Sequence, residues 1–207
     1  MIFESRIDAA KALIPYLEKY RNREVVVLAI PRGGVPMGDI IARHFNWELT
    51  LLLTKKIGHP LSSEYAIGAV SLYGRILNEG ISNVPIDYIE NETLRIRKLL
   101  DARRIKFIGQ QKIIPLHGKI LVIVDDGIAT GYTMRVSVEL LKNQMPARII
   151  IAVPIASPRI IESLCNMVDE VIALDAPEDF GGVGQFYEDF SEISDQEVVA
   201  IMKKYNN

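Results

Sequence analysis

The sequence predicts an α/β fold, a doubly wound, mostly parallel sheet flanked by helices, and three observations predict it. Five short β-branched runs lack the alternation of a half-solvated strand: Val25-Val26-Val27-Leu28-Ala29-Ile30, then residues 49–54, 120–124, 149–153 and 171–174. Runs of this kind suit strands buried on both faces. Segments of helical length and spacing lie between them, such as 132–143 and 158–166, so strand and helix alternate as crossover connections require. The 207 residues are 49% hydrophobic and 24% charged, which supports one domain over 1–207 with a full core.

The elements follow in order. Ile7, Ala10, Leu13, Ile14 and Leu17 are spaced as one face of a first helix, whose second half Pro15 stands to break or kink. After the first strand, Pro31-Arg32-Gly33-Gly34 forms a glycine turn ahead of a helix at 38–45. The second strand ends at Lys55 and Lys56, which open a loop rich in Gly, Pro and Ser up to Glu64. Residues 85 to about 111 read as one inserted helix, with Ile89, Ile96, Leu99 and Leu100 at helical spacing. Its bases, Arg95 to Lys106, are interleaved with Glu90, Glu92 and Asp101, as on a solvated face. The last strand leads into a long glycine-rich loop over 175–190, and loops of that length in compact domains are often functional.

Composition narrows the function classes. With 24 Lys+Arg against 26 Asp+Glu the net charge is −2, so no basic field for coating nucleic acid exists and no nucleic-acid partner is expected. One cysteine and three histidines cannot build a zinc site of the usual kind. No apolar run approaches the roughly 18 residues that cross a bilayer. The expectation is a cytoplasmic protein without a membrane partner.

Ligands of open parallel sheets bind beyond the carboxyl ends of the strands. There the third run passes directly into Asp125-Asp126-Gly127-Ile128-Ala129-Thr130-Gly131-Tyr132-Thr133. Adjacent acids at a strand end can accept hydrogen bonds from vicinal sugar hydroxyls, or hold a magnesium ion through water. The small-residue turn offers backbone N–H groups and the hydroxyls of Thr130 and Thr133 at a helix start, where a phosphate dianion is favoured. Helix capping alone needs one acid, whereas this loop has two acids and two threonines. Sugar at one end and phosphate at the other describe a ribose 5-phosphate. Likewise Arg32 with Gly33 and Gly34 lets backbone N–H groups approach an anion, against the plainer reading of an ordinary turn.

This loop resembles the 5-phosphoribosyl 1-pyrophosphate motif of type I phosphoribosyltransferases. The resemblance extends to Ala29-Ile30-Pro31-Arg32-Gly33-Gly34-Val35-Pro36, to Lys55-Lys56-Ile57-Gly58-His59-Pro60, and to residues 180–190, which look like a bacterial and archaeal branch of that family. It implies that Asp125 and Asp126 hold the ribose hydroxyls and, through water or substrate oxygens, magnesium. It implies that Gly127, Ile128, Ala129, Thr130, Gly131, Tyr132 and Thr133 hold the 5-phosphate side. Pro31, Arg32, Gly33, Gly34, Lys55 and Lys56 would take the pyrophosphate, with Arg32 and Lys56 acting on the leaving group and a strained or cis peptide near Arg32. The loop after Lys56 would be a mobile flap, and 175–190 a hood in which Phe180, Phe186 or Tyr187 stacks on the acceptor or anchors the loop.

The implied reaction transfers 5-phosphoribosyl to a nitrogenous acceptor, a nucleobase of salvage metabolism, with Mg2+ as cofactor and a homodimer as the assembly. Enzymes for 6-oxopurines carry an acid where this chain has Ala129, so the acceptor stays open. The rival expectation is a regulatory protein that binds the donor or a nucleotide without turnover. A dinucleotide site is a poor third, since Pro31-Arg32-Gly33-Gly34 does not fit G-x-G-x-x-G.

Overall fold

The computed structural model describes residues 1–78, 84–109 and 113–205. In chain order the first elements are α1 (Arg6–Leu17), β1 (Val25–Ala29), α2 (Gly34–Phe45), β2 (Glu48–Leu51), β3 (Thr54–His59), β4 (Ser62–Ser71) and β5 (Arg75–Leu77). There follow α3 (Ile86–Ile108), β6 (Ile120–Val124), α4 (Tyr132–Lys142), β7 (Arg148–Ile155), α5 (Pro158–Cys165), β8 (Glu170–Asp175) and α6 (Asp195–Met202).

The five apolar runs form one parallel sheet in the order β2-β1-β6-β7-β8. Val27 stands opposite Leu49 on one side and Val122 on the other. The absence of alternation is explained by two cores. Val25, Val27 and Ala29 face the core shared with Leu13 of α1, Ile41 of α2 and Met202 of α6. Val26, Leu28 and Ile30 face the core shared with Val138 of α4 and Leu164 of α5. Each strand is therefore apolar on both sides of its pleat.

Two expectations need correction and a third is met as far as the described residues reach. Pro15 neither breaks α1 nor ends it: it sits in the last turn, and the helix runs on to Leu17. The second strand ends at Leu51 rather than at Lys55 and Lys56, which lie within β3, and the expected loop is strand: β3, β4 and β5 form a second, antiparallel sheet, in contact with both α3 and α4. Its strands are of mixed polarity and gave no long apolar run to read. The inserted helix is found at Ile86–Ile108, and the expected end near 111 lies outside the described residues.

Helix α6 was not expected. Its start is nonetheless written in the chain, because Ser194 and Glu197 form a reciprocal capping box. Val198 and Met202 then seal the α1–α2 side of the sheet.

Candidate active site

The chain leaves β1 toward β2 on one side and returns to β6 on the other, so the strand order reverses between β1 and β6. Loops after these two strands open into one crevice, which is where open α/β sheets bind ligands. Pro31-Arg32-Gly33-Gly34 follows β1 and Asp125-Asp126 follows β6. The two loops touch. A Cβ on Gly33 would lie 1.9 Å from Asp126 Oδ2, and one on Gly34 would lie 2.5 Å from the Val124 carbonyl oxygen. Glycine is required at both positions by this approach. The peptide between Pro31 and Arg32 is cis, matching the expectation for this loop.

The acids are held from several directions. Asp125 Oδ1 accepts from the Asp126 N–H at 2.9 Å. Asp126 Oδ2 accepts from Arg6 Nε at 2.8 Å, and its carbonyl accepts from the Tyr187 hydroxyl at 2.7 Å. Burial pushes the Asp125 carboxyl well above the usual carboxylate range, and the neighbouring Asp126 charge adds to it. Burial raises Asp126 too, opposed by the hydrogen bond and charge of Arg6. The pair stands as two poorly solvated acids suited to accepting from donors.

Beyond the acids the chain turns through Gly127 and Ile128, both buried, to Ala129 and Thr130, both exposed. Gly131 has φ +70 and starts α4, whose N-terminus has no side-chain cap. Thr133 is exposed, and Tyr132 is 39% exposed at the same helix end. An uncapped helix start flanked by threonine hydroxyls is suited to a phosphate.

The two lysines part company. Adjacent residues of a strand point to opposite faces, so they do not meet one anion together as expected. Lys56 pairs with Ala69, which packs on Val136 and Leu140 of α4. Its charge also opposes the burial that raises the Tyr132 phenol. Lys55 pairs with Val70 on the other face, where its charge helps to lower Glu92 of α3. Of the two lysines, Lys56 is the one that faces the α4 start.

Arg32 is already engaged. Its guanidinium pairs with Glu192 and lies 3.8 Å from Asp195 Oδ1. Lys106 of α3 reaches the other oxygen of Asp195 at 2.5 Å. These groups line a cavity of about 1060 Å³ between the β1 loop, α3 and α6.

The loop over 175–190 is internally organised: Gln185 bonds to the Gly181 N–H and the Asp179 carbonyl. Phe186 and Tyr187 are buried in the main core, so neither ring offers a free face for stacking. Phe186 packs on Phe180 at 5.4 Å, and Tyr187 packs between Phe3 and Phe190. Phe180, half-buried, is the ring of the three that retains an accessible side.

Arg6 escaped the reading of the sequence. It is 8% exposed at the first position of α1, and its one local signal is a cation where the helix dipole disfavours one. No group of three or more His, Cys, Asp or Glu side chains suited to a metal occurs among the described residues. Two carboxylates alone do suit magnesium, which takes one or two from the protein and the rest from substrate oxygens and water. Among the described residues no helix is long and apolar enough to cross a membrane.

A crevice with paired acids, a glycine-lined anion loop and an open helix start is suited in its chemistry to a phosphorylated sugar. Comparison with known proteins agrees. The chain matches the family model of the phosphoribosyl transferase domain over residues 2–190, and it belongs to that family. Two proteins of Mycobacterium tuberculosis, each named "Putative phosphoribosyl transferase", are 35% identical over 98% of this chain. The chain spans about half the length of these relatives, 47%. The crystal structure of TT1426 from Thermus thermophilus superposes with a TM-score of 0.88 at 35% identity, covering all of both chains. A purine phosphoribosyltransferase from Pyrococcus horikoshii Ot3 shares the fold at TM-score 0.50 and 18% identity, over 91% of this chain and 93% of its own.

Proposed function

We propose that the chain transfers 5-phosphoribosyl from 5-phosphoribosyl 1-pyrophosphate to a nitrogenous acceptor, a nucleobase, and releases pyrophosphate. The observation that carries this reading is the contact of Gly33 with Asp126, which joins an anion loop and a hydroxyl-binding acid pair in one crevice. Asp125 and Asp126 accept from the ribose hydroxyls. The turn from Gly127 to Thr133 holds the 5-phosphate on the start of α4. Backbone N–H groups around Gly33 and Gly34, with Lys56, take the pyrophosphate. An acceptor nitrogen forms its bond to carbon 1 as the bond to the pyrophosphate oxygen breaks, the electron pair leaves with pyrophosphate, and the proton of the base N–H passes to water. The protein's share is positioning and charge. Magnesium, when bound through Asp125, Asp126 and substrate oxygens, neutralises charge on the departing group. Phe180 is the ring we assign to the acceptor. We also expect a cytoplasmic homodimer serving nucleotide salvage, which light scattering of the purified protein tests for the assembly.

One observation favours a second reading, a regulatory binder without turnover: the Arg32 side chain is occupied by Glu192 and Asp195. Release of pyrophosphate from the donor, screened across nucleobases with magnesium, separates the two. Acceptor-dependent release supports the transferase. Donor binding by calorimetry with no release across the panel supports the binder.

A further inference from the structure

We infer that Arg6 is a positioning residue for the ribose-binding acid Asp126, an inference that rests on the proposed function and assigns it a further group. The guanidinium is fixed on three sides. Nε donates to Asp126 Oδ2 at 2.8 Å, Nη1 donates to the Ser191 carbonyl at 2.8 Å, and the plane lies 3.9 Å over the Phe190 ring. The arginine and aspartate side chains are only 10% and 14% exposed. A fork with this many constraints does not swing, so the carboxylate it holds cannot rotate freely either.

The orientation matters because the Arg6 bond takes Oδ2, the oxygen that also lies against Gly33. Oδ1 is left to receive a ligand hydroxyl. The Tyr187 hydroxyl meanwhile holds the Asp126 carbonyl. Backbone and carboxylate of one acid are thus fixed by separate elements, the loop over 175–190 and α1.

A purely structural role accounts poorly for this pair. Buried ion pairs are often replaceable by apolar groups at no loss of stability. Arg6 also sits at the first position of α1, where the dipole disfavours a cation. Geometry at the acid is what the arrangement secures.

The test is calorimetric titration with magnesium, using 5-phosphoribosyl 1-pyrophosphate and inorganic pyrophosphate as two probes, on the wild type, Arg6→Gln, Asp126→Asn and the double variant. The expected result is that Arg6→Gln weakens the ribose-bearing donor about tenfold or more and inorganic pyrophosphate by a smaller factor, limited to what Asp126 contributes through magnesium. The double variant should bind the donor no more weakly than Asp126→Asn alone, since Arg6 acts through that acid. Unchanged donor binding in Arg6→Gln, equal loss of both probes, or additive losses in the double variant each overturn the inference. If Arg6→Gln gives no cooperative melt, Arg6→Lys decides by the same two probes: it keeps the charge but not the fork, and must again weaken the donor selectively. A wild type that binds no donor overturns the proposed function itself, which is distinct from a wild type that binds and an Arg6 variant that binds equally.

Discussion

Gly33 and Asp126 are so close that the acid's Oδ2 occupies the space where any side chain at 33 would begin, 1.9 Å from an added Cβ. The two loops lie far apart in the chain, and a missing methyl group is what lets them meet.

Gly33→Ala should therefore push the Asp126 carboxylate off Arg6 as well as crowd the loop. The expected cost is about 1–3 kcal/mol of stability, the range for overpacking, together with loss of donor binding. Gly34→Ala should cost more, because its obstacle is the Val124 carbonyl of the sheet, which cannot move aside. Denaturant melts of the two variants, read side by side with donor titrations, check the ranking. Gly34→Ala milder than Gly33→Ala would contradict it.

Asp125 carries a raised pKa in the folded chain, from burial first and the Asp126 charge second. A raised folded-state pKa means the folded chain holds a proton that the unfolded chain has released. Stability from that group is full below the unfolded carboxylate range and is lost as pH rises through the folded pKa. At neutral pH the unliganded protein is consequently less stable for having this acid. Asp125→Asn should raise the neutral-pH melting temperature by ~2–4 °C for each kcal/mol recovered, while donor binding falls. The gain should shrink as the melt is repeated at lower pH. A variant that melts lower at neutral pH and is fully folded at the start would refute this account.

Tyr187→Phe keeps the packing against Phe3 and Phe190 and removes the bond to the Asp126 carbonyl. The expected loss is about 1 kcal/mol, since a carbonyl is left short of one donor. Acceptor preference should be unaffected, because the ring is enclosed. A changed acceptor profile in the pyrophosphate-release assay would return Tyr187 to the acceptor side.

Lys56→Ala and Lys55→Ala should differ. Lys56 lies on the α4 face of its strand and Lys55 on the α3 face. Removal of the first should weaken inorganic pyrophosphate about tenfold, and removal of the second should leave it within experimental error. Equal effects of the two substitutions would mean that the strand presents both charges to one ligand.

How much of this was legible in the sequence divides along physical lines. The five strands of the main sheet were readable because burial on both faces leaves a continuous apolar signature, as Val25 to Ile30 shows. That the acids and glycines share one crevice was readable because both loops directly follow apolar runs, and loops after strands of a parallel sheet gather at its carboxyl end. The second sheet was not, since β3 is held by cross-strand pairing and by contacts with α3 and α4 rather than by an apolar run of its own. The pleat that separates Lys55 from Lys56 becomes visible only once β3 is known to be a strand. Arg6 is a pairing across the whole fold, and nothing next to it in the chain names Asp126 as its partner. Phe186 and Tyr187 show the converse: aromatic residues in a glycine-rich loop read alike whether they face a ligand or anchor the loop, and burial decides.

The bond from Arg6 to the Ser191 carbonyl spans 185 positions of chain. During synthesis α1 leaves the ribosome long before the segment that fixes its arginine, and the bridge between Phe3 and Tyr187 must wait equally long. Contacts of such high sequence separation form late, after the loop-closure entropy of the intervening chain has been overcome. The main sheet from β1 to β7 can therefore be assembled while the crevice beside it is still without its hood and its arginine. A pulse-labelling hydrogen-exchange experiment would see this as early protection of Val27 and Val122 and delayed protection of the Phe3 and Glu188 amides. Whatever the crevice binds through Asp126 would then be bound only after the main sheet has formed.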